Sequence, residues 1–444
     1  MSLSSSMEKC FLWSKWGKKE WVIISVIGFT VLSLAIILIL HSSLFSSKKD
    51  IVTDTDQNKD RVPETDHVPN ENQITTPLVN DESLVDLILL QNAQQKGAVC
   101  LDGSSPGYHL SKGFDSGSQN WLLFIEGGGW CDTLESCASR AETSLGSSKF
   151  MDLKVSFNGI LSNNKSQNPD FFNWNKVMMR YCDGASFAGN QSESESSTGL
   201  FFRGQLIWDA VMEELLSLGL ANAQQVLLSG CSAGGLATLI HCDDFQKMLP
   251  KEVNVKCLSD AGFFLDEKDV SGKRTMRSFY HAVSNLQGVT KSLPKDCISK
   301  MKSSTVQCLF PQNFVKYIKT PVFLLNPSYD YWQIENILVP STSDNGWVKC
   351  KSNLNDCSPN QTKILHGFRM SMLKELNHVQ HSRNMGMFIN ACYSHCQTST
   401  TKTWHSVDSP RINNKTIAEA VGDWYFNRKA VKEIDGPYPS NPTC

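Results

Sequence analysis

At 444 residues the chain is long enough for one large or two ordinary domains. Its 41% hydrophobic and 19% charged residues suit a globular body with a sizeable core. A formal net charge of −2 lacks the basic excess expected of a nucleic-acid binder.

Residues 1–20 read as a short basic tail, with Trp13 and Trp16 suited to a membrane interface. Residues 21–40 carry no charge and are apolar apart from Ser25, Thr30 and Ser33. As a helix of about 1.5 Å per residue they would span roughly 30 Å, a bilayer's hydrocarbon thickness. Lys9, Lys15, Lys18 and Lys19 precede this segment, which favours a cytoplasmic N-terminus and a lumenal body. The expectation is an uncleaved type II anchor; a cleaved signal peptide is the alternative, with only a poor cleavage site after His41. Residues 41–82 read as a flexible stem, polar from 46 onward and interrupted by Pro63, Pro69 and Pro77. A folded body is expected over 83–444.

Fifteen cysteines are many for a cytosolic enzyme. Only Cys10 precedes the apolar segment, and the other fourteen could pair completely. Cys131 with Cys137, Cys297 with Cys308 and Cys350 with Cys357 are local candidates. No cysteine spacing suits zinc, so no metal is expected. Asn-x-Ser/Thr sequons at Asn164, Asn190, Asn360 and Asn414 lie in the same body. Cysteines and sequons together point to an oxidising, secretory-pathway compartment, and the anchor and long stem allow retention in a Golgi or plasma membrane as well as export to the cell exterior.

Within the body, 120–125 is a continuous apolar run, the pattern of a strand covered on both faces. A weaker strand is expected over 176–181. Residues 207–218 have apolar positions at helical spacing and stop at Gly219. Val226 to Leu228 is a short strand, and Gly230-Cys231-Ser232-Ala233-Gly234 follows it directly. A helix to Met248 comes next. Strand, Gly-x-Ser-x-Gly turn and helix form a nucleophile elbow, which stands a serine hydroxyl clear of a sheet. Further strands are expected over 255–259, ending at Asp260, and over 321–325, leading to Asp330. Helices are expected over 366–376 and 417–426. The alternation predicts an α/β fold with a largely parallel sheet.

Glu126-Gly127-Gly128-Gly129-Trp130 follows the first strong strand. Glycine-rich backbone at that position can supply oxyanion-hole N–H groups, so Gly128, Gly129 and Ala233 are the candidate donors. A phosphate loop would continue with Lys-Ser/Thr, and Trp130-Cys131-Asp132 does not. Ser232 needs a base and an orienting acid after it in the chain. Asp260 and Asp330 both end strands, and Asp330 sits a full strand–helix unit later. Among the histidines, His395 lies between Cys392 and Cys396, which could pin its loop; His405 remains the alternative.

Several motifs in order carry a resemblance. They are Gly97 to His109, Ile125 to Cys131, Tyr181 to Phe187, Phe202 to Gln205, Gly230 to Gly235, Tyr329 to Gln333 and Phe388 to Gln397. From about residue 85 the chain resembles the plant pectin acetylesterases, whose family includes the animal Notum carboxylesterases. The resemblance implies an α/β-hydrolase fold stabilised by disulfides, with Ser232 as nucleophile, Asp330 as acid and His395 as base. It implies acetyl-ester hydrolysis on galacturonate residues of cell-wall pectin, with no cofactor. Lone Cys444 departs from the more cysteine-rich C-terminus of relatives and leaves its partner open. Trp130, Tyr331 and Trp332 could stack on sugar rings or serve as core; Arg203 could meet a uronate carboxylate or form a structural ion pair. Rival expectations are a lipid-directed carboxylesterase of the same fold and a non-catalytic carbohydrate-binding protein.

Overall fold

The computed structural model describes residues 84–191, 198–343 and 346–444. The expected tail, apolar segment 21–40 and stem lie outside them. Among the described residues no helix is long and apolar enough to cross a membrane.

The described residues form twelve strands: β1 (Val85–Leu89), β2 (Gly107–Ser111), β3 (Asn120–Ile125), β4 (Lys154–Val155), β5 (Asn175–Met179) and β6 (Gln225–Cys231) come first. They are followed by β7 (Asn254–Asp260), β8 (Val322–Leu325), β9 (Met385–Ile389), β10 (Arg411–Ile412), β11 (Lys415–Thr416) and β12 (Lys432–Ile434). Ten of them make one sheet in the order β12-β9-β8-β7-β6-β3-β5-β2-β1-β4. From β12 to β5 every neighbour is parallel; β2, β1 and β4 extend the sheet with antiparallel pairing. The longer helices are α1 (Leu134–Ala141), α2 (Gly204–Ser217), α3 (Ala233–Lys247), α4 (Thr275–Gln287), α5 (Pro359–Gln380) and α6 (Ile417–Tyr425).

Side chains on a strand alternate between faces. In β3, Trp121, Leu123 and Ile125 join one core with Trp208 and Leu215 of α2, Leu236 and Leu239 of α3, and Met372 of α5. Leu122 and Phe124 join a second core with Val421, Trp424 and Tyr425 of α6. Both faces are buried, which explains why β3 reads as an unbroken apolar run.

The helix expected at 366–376 begins earlier, at Pro359. Ser358 caps it: its hydroxyl accepts the Gln361 N–H, the Gln361 side chain returns to the Ser358 N–H, and Pro359 opens the first turn. Seven disulfides pair all fourteen body cysteines, including the three local candidates. Cys444 pairs with Cys392.

β3 lies between β5 and β6, so the chain leaves β3 to one side and returns on the other. Such a reversal opens a crevice at the carboxyl ends of the strands, where open α/β sheets bind ligands. Glu126 to Gly129 leave β3 at that end, and Ser232 leaves β6 beside them.

Candidate active site

Ser232 sits between the last residue of β6 and the first of α3, with φ 57° and ψ −124°. That conformation is costly for a residue with a Cβ, and the surrounding structure must enforce it. The motif glycines make the turn possible: a Cβ on Gly234 would stand 2.2 Å from the Ile125 carbonyl oxygen, and one on Gly230 would stand 2.4 Å from that of Gly234. The Ser232 N–H donates to the Asp260 carbonyl at 2.9 Å, fixing the elbow to the end of β7.

Five residues past β8, Asp330 is fully buried. One carboxylate oxygen accepts the Gln333 N–H at 3.0 Å; the other accepts from His395 Nδ1 at 2.8 Å. A carboxylate only accepts, so Nδ1 carries the proton and Nε2 is left as the basic nitrogen. Burial alone would lower the His395 pKa. The charge and hydrogen bond of Asp330, with a smaller contribution from Asp260, outweigh it and hold the imidazole above its ordinary 6.5.

Cys392 is bonded to Cys444, and Cys396 to Cys231, the residue before Ser232. The second bridge brings a His395 ring nitrogen within 4.8 Å of the Cys231 sulfur. With both cysteines in disulfides, this trio offers no metal ligand set. The loop is also zipped to its neighbours by the Ser328 N–H on the Asn390 carbonyl at 2.8 Å and by the Asn390 amide on Gln397 at 2.9 Å.

Asp260, the runner-up acid, holds structure together. Its Oδ2 accepts both the N–H and hydroxyl of Thr398, at 2.7 and 2.6 Å, while Oδ1 is buried without a partner. Burial, only partly opposed by the Thr398 bonds, pushes its pKa up to about 6. His405, the alternative base, pairs through Nδ1 with the Thr416 hydroxyl at 2.9 Å instead.

The loop after β3 is held by a network absent from the sequence expectations. Glu126 accepts from Arg180 Nε at 2.9 Å and from the Tyr181 N–H at 3.0 Å. The Tyr181 hydroxyl donates to the Gly129 carbonyl at 2.7 Å and accepts the Ser186 N–H at 2.9 Å. The Ser186 hydroxyl accepts from Trp130 Nε1 at 2.7 Å and donates to the Ala233 carbonyl at 2.8 Å. Among the described residues, the N–H groups of Gly128, Gly129 and Ala233 meet no protein acceptor. The available signal was the motif running from Tyr181 to Phe187, in which Ser186 and Phe187 take φ of 55° and 57° in succession.

Trp130 is buried and meets Phe264, Tyr280 and Trp332 edge-on, so it packs as a wall. Tyr331 is 39% exposed with its ring 5.6 Å from His395, and Trp332 lies nearly parallel to the imidazole at 6.3 Å. Arg203 stands before α2 and donates to the Gln191 carbonyl, with no ion pair among the described residues. Asn164, Asn360 and Asn414 are exposed; Asn190 is half-buried, its amide near the Ser292 hydroxyl.

A family profile described as Pectinacetylesterase matches residues 78–444. Pectin acetylesterase 5 from Arabidopsis thaliana is 52% identical over 443 residues, covering 99% of this chain and 97% of that protein. Pectin acetylesterase 4 from the same plant is 50% identical over 432 residues, 97% of each chain. Palmitoleoyl-protein carboxylesterase notum1a from Danio rerio is 32% identical over 381 residues, 79% of this chain and 71% of its own.

Proposed function

Because the chain belongs to the pectinacetylesterase family, whose named members are carboxylic ester hydrolases, we propose that it removes acetyl groups from galacturonate residues of pectin through Ser232, His395 and Asp330. The observation that carries this reading is the Asp330–His395 hydrogen bond at 2.8 Å, in a loop bonded covalently to the residue before Ser232.

In this mechanism His395 Nε2 takes the Ser232 hydroxyl proton as the oxygen bonds to the acetyl carbonyl carbon. Asp330 orients the imidazole and stabilises its charged form. The N–H groups of Gly128, Gly129 and Ala233 receive the oxyanion. Collapse of the tetrahedral intermediate expels the sugar oxygen, which takes the proton from His395. Water, deprotonated by the same imidazole, then cleaves the acetyl-enzyme and releases acetate. Tyr331 and Trp332, flanking the imidazole, are the proposed sugar contacts.

Acetate release from acetylated pectin tests the reading. Wild type releases it and Ser232→Ala does not; equal release by both removes the mechanism. The Notum relative supports a second reading, cleavage of a long acyl chain, and release from a palmitoyl ester but not from pectin would favour that one. Seven disulfides support passage through the secretory pathway to the cell wall. Glycosylation at the four sequons belongs to the same proposal. So does a type II anchor at 21–40, which rests on the sequence alone.

A further inference from the structure

We propose that Arg140 is a positioning residue for the oxyanion hole: it locks the Gly128–Gly129 peptide so that the Gly129 N–H faces the developing negative charge. The proposal rests on Ser232 being the nucleophile.

A trans peptide is planar, and its C=O and N–H point in opposite directions. Whatever grips the Gly128 carbonyl therefore decides where the Gly129 N–H is aimed. Arg140 Nη1 donates to that carbonyl at 2.8 Å. Its Nε donates to the Leu145 carbonyl at 2.8 Å, so the rigid guanidinium fork is held at two points. The guanidinium carbon also stands 4.9 Å over the Tyr181 ring centroid. The Tyr181 hydroxyl in turn grips the Gly129 carbonyl, the next peptide along. One stacked Arg–Tyr pair thus clamps two successive peptide planes.

The loop needs such a clamp. Gly128 and Gly129 have φ of +144° and +65°, so the peptide between them has no Cβ on either side to oppose rotation. A Cβ built on Gly128 would stand 2.6 Å from Leu145, but one built on Gly129 would find nothing within 4 Å, so packing restrains only one side of this peptide. If this peptide turned over, the Gly128 carbonyl would face the site and repel the oxyanion that the N–H should receive. Arg140 is carried on α1, which the Cys131–Cys137 disulfide ties to the end of the same loop. Its Nη2 is buried without a partner, so its position is not explained by full hydrogen-bond satisfaction.

The test uses the full chain, with p-nitrophenyl acetate as substrate and phenylboronic acid as a probe that forms a tetrahedral adduct on a nucleophilic serine. Arg140→Ala should lower kcat about 10²–10³-fold, the cost of losing one oxyanion donor, and leave KM within about threefold. Boronate affinity should fall in step with kcat. Guanidinium chloride at tens of millimolar should restore kcat at least about tenfold in this variant and leave wild type unchanged. Arg140→Lys keeps the charge but cannot reach both carbonyls; it should show the same split with a smaller drop, and it carries the test if Arg140→Ala does not fold. Wild-type kcat in Arg140→Lys, or loss of kcat without loss of boronate affinity, overturns the proposal. Ser232→Ala separates the two levels. If it stays active, the reading of the site has failed; if it is dead while both Arg140 variants turn over normally, only the role of Arg140 has failed.

Discussion

The loop after β3 and the loop after β9 both adjoin the Ser232 elbow but are restrained in different ways. Residues 126–129 are oriented by hydrogen bonds from Arg140, Arg180 and Tyr181. Residues 390–398 are tied down by disulfides spanning 165 and 52 residues, plus the Thr398 bonds to Asp260. On the proposed mechanism the difference follows from what each loop must deliver. An oxyanion donor needs a direction, which hydrogen bonds to its own peptide planes set. An imidazole on a long excursion needs a location, and a covalent bridge to the nucleophile's neighbour sets it.

The sharpest way to break the comparison lies on the histidine side. Asp330→Asn keeps the shape of the pocket but removes the charge and permits the wrong imidazole tautomer; kcat should fall about 10⁴-fold. The base works only when neutral, and Asp330 holds its pKa above the ordinary value. In wild type, kcat/KM should therefore fall on the acid side with a midpoint above 6.5. Without the carboxylate, what activity survives should persist to lower pH. A pH–rate series on both proteins reads this, and an unmoved acid limb would mean that another group titrates there.

Next in size is the bridge itself. Cys231→Ser with Cys396→Ser opens a loop of 165 residues, and calorimetry should show a loss of about 3–5 kcal/mol. If the bridge locates His395, kcat should also drop, by roughly 10²-fold for a displacement near 1 Å. A destabilised variant with wild-type kcat would show that the loop finds its place through Asp260 and Asp330 alone.

The same contrast separates what the sequence discloses from what it withholds. The elbow at Ser232 was legible because it is a local object: strand, glycine spacing and helix are contiguous. The glycines after β3 were legible for the same reason, as were disulfides closing loops of 6, 11 and 7 residues. Asp330 over Asp260 and His395 over His405 stayed open on physical grounds and needed family likeness, because Asp260 ends β7, Asp330 follows β8 by five residues, and only the fold decides which one reaches an imidazole. Strand β9 was missed as an element; Gly386 interrupts its apolar pattern, and a Cβ there would stand 2.7 Å from Trp424. The network on the loop after β3 was only partly legible: the Tyr181–Phe187 motif marked its far side, whereas Arg140 belongs to no motif. The Tyr181 and Ser186 hydroxyls reach carbonyls 52 and 47 residues away, a pairing that only the fold makes visible.

The smallest effect comes from Asp260, which ties the Ser232 elbow to the loop after β9: its backbone holds the Ser232 N–H and its side chain holds Thr398. Asn at this position keeps an acceptor for Thr398, so kcat should change by less than about tenfold. Stability should respond differently. Burial raises the carboxyl from 3.8 to about 6, so between those values the folded chain holds a proton that the unfolded chain has released. Wild type therefore loses stability as pH rises through that window, by up to about 3 kcal/mol from this group. Asp183, also raised to about 6 by burial, acts with the same sign; His241, lowered to about 4 by burial, acts with the opposite one. Both are present in each protein, so the difference between Asp260→Asn and wild type isolates Asp260. In urea unfolding that difference should be near zero at pH 4, grow in favour of the variant toward pH 6, and then level off. Parallel curves would mean that the Thr398 bonds fully offset the burial of the charge, leaving the histidine loop with no electrostatic cost in its anchorage.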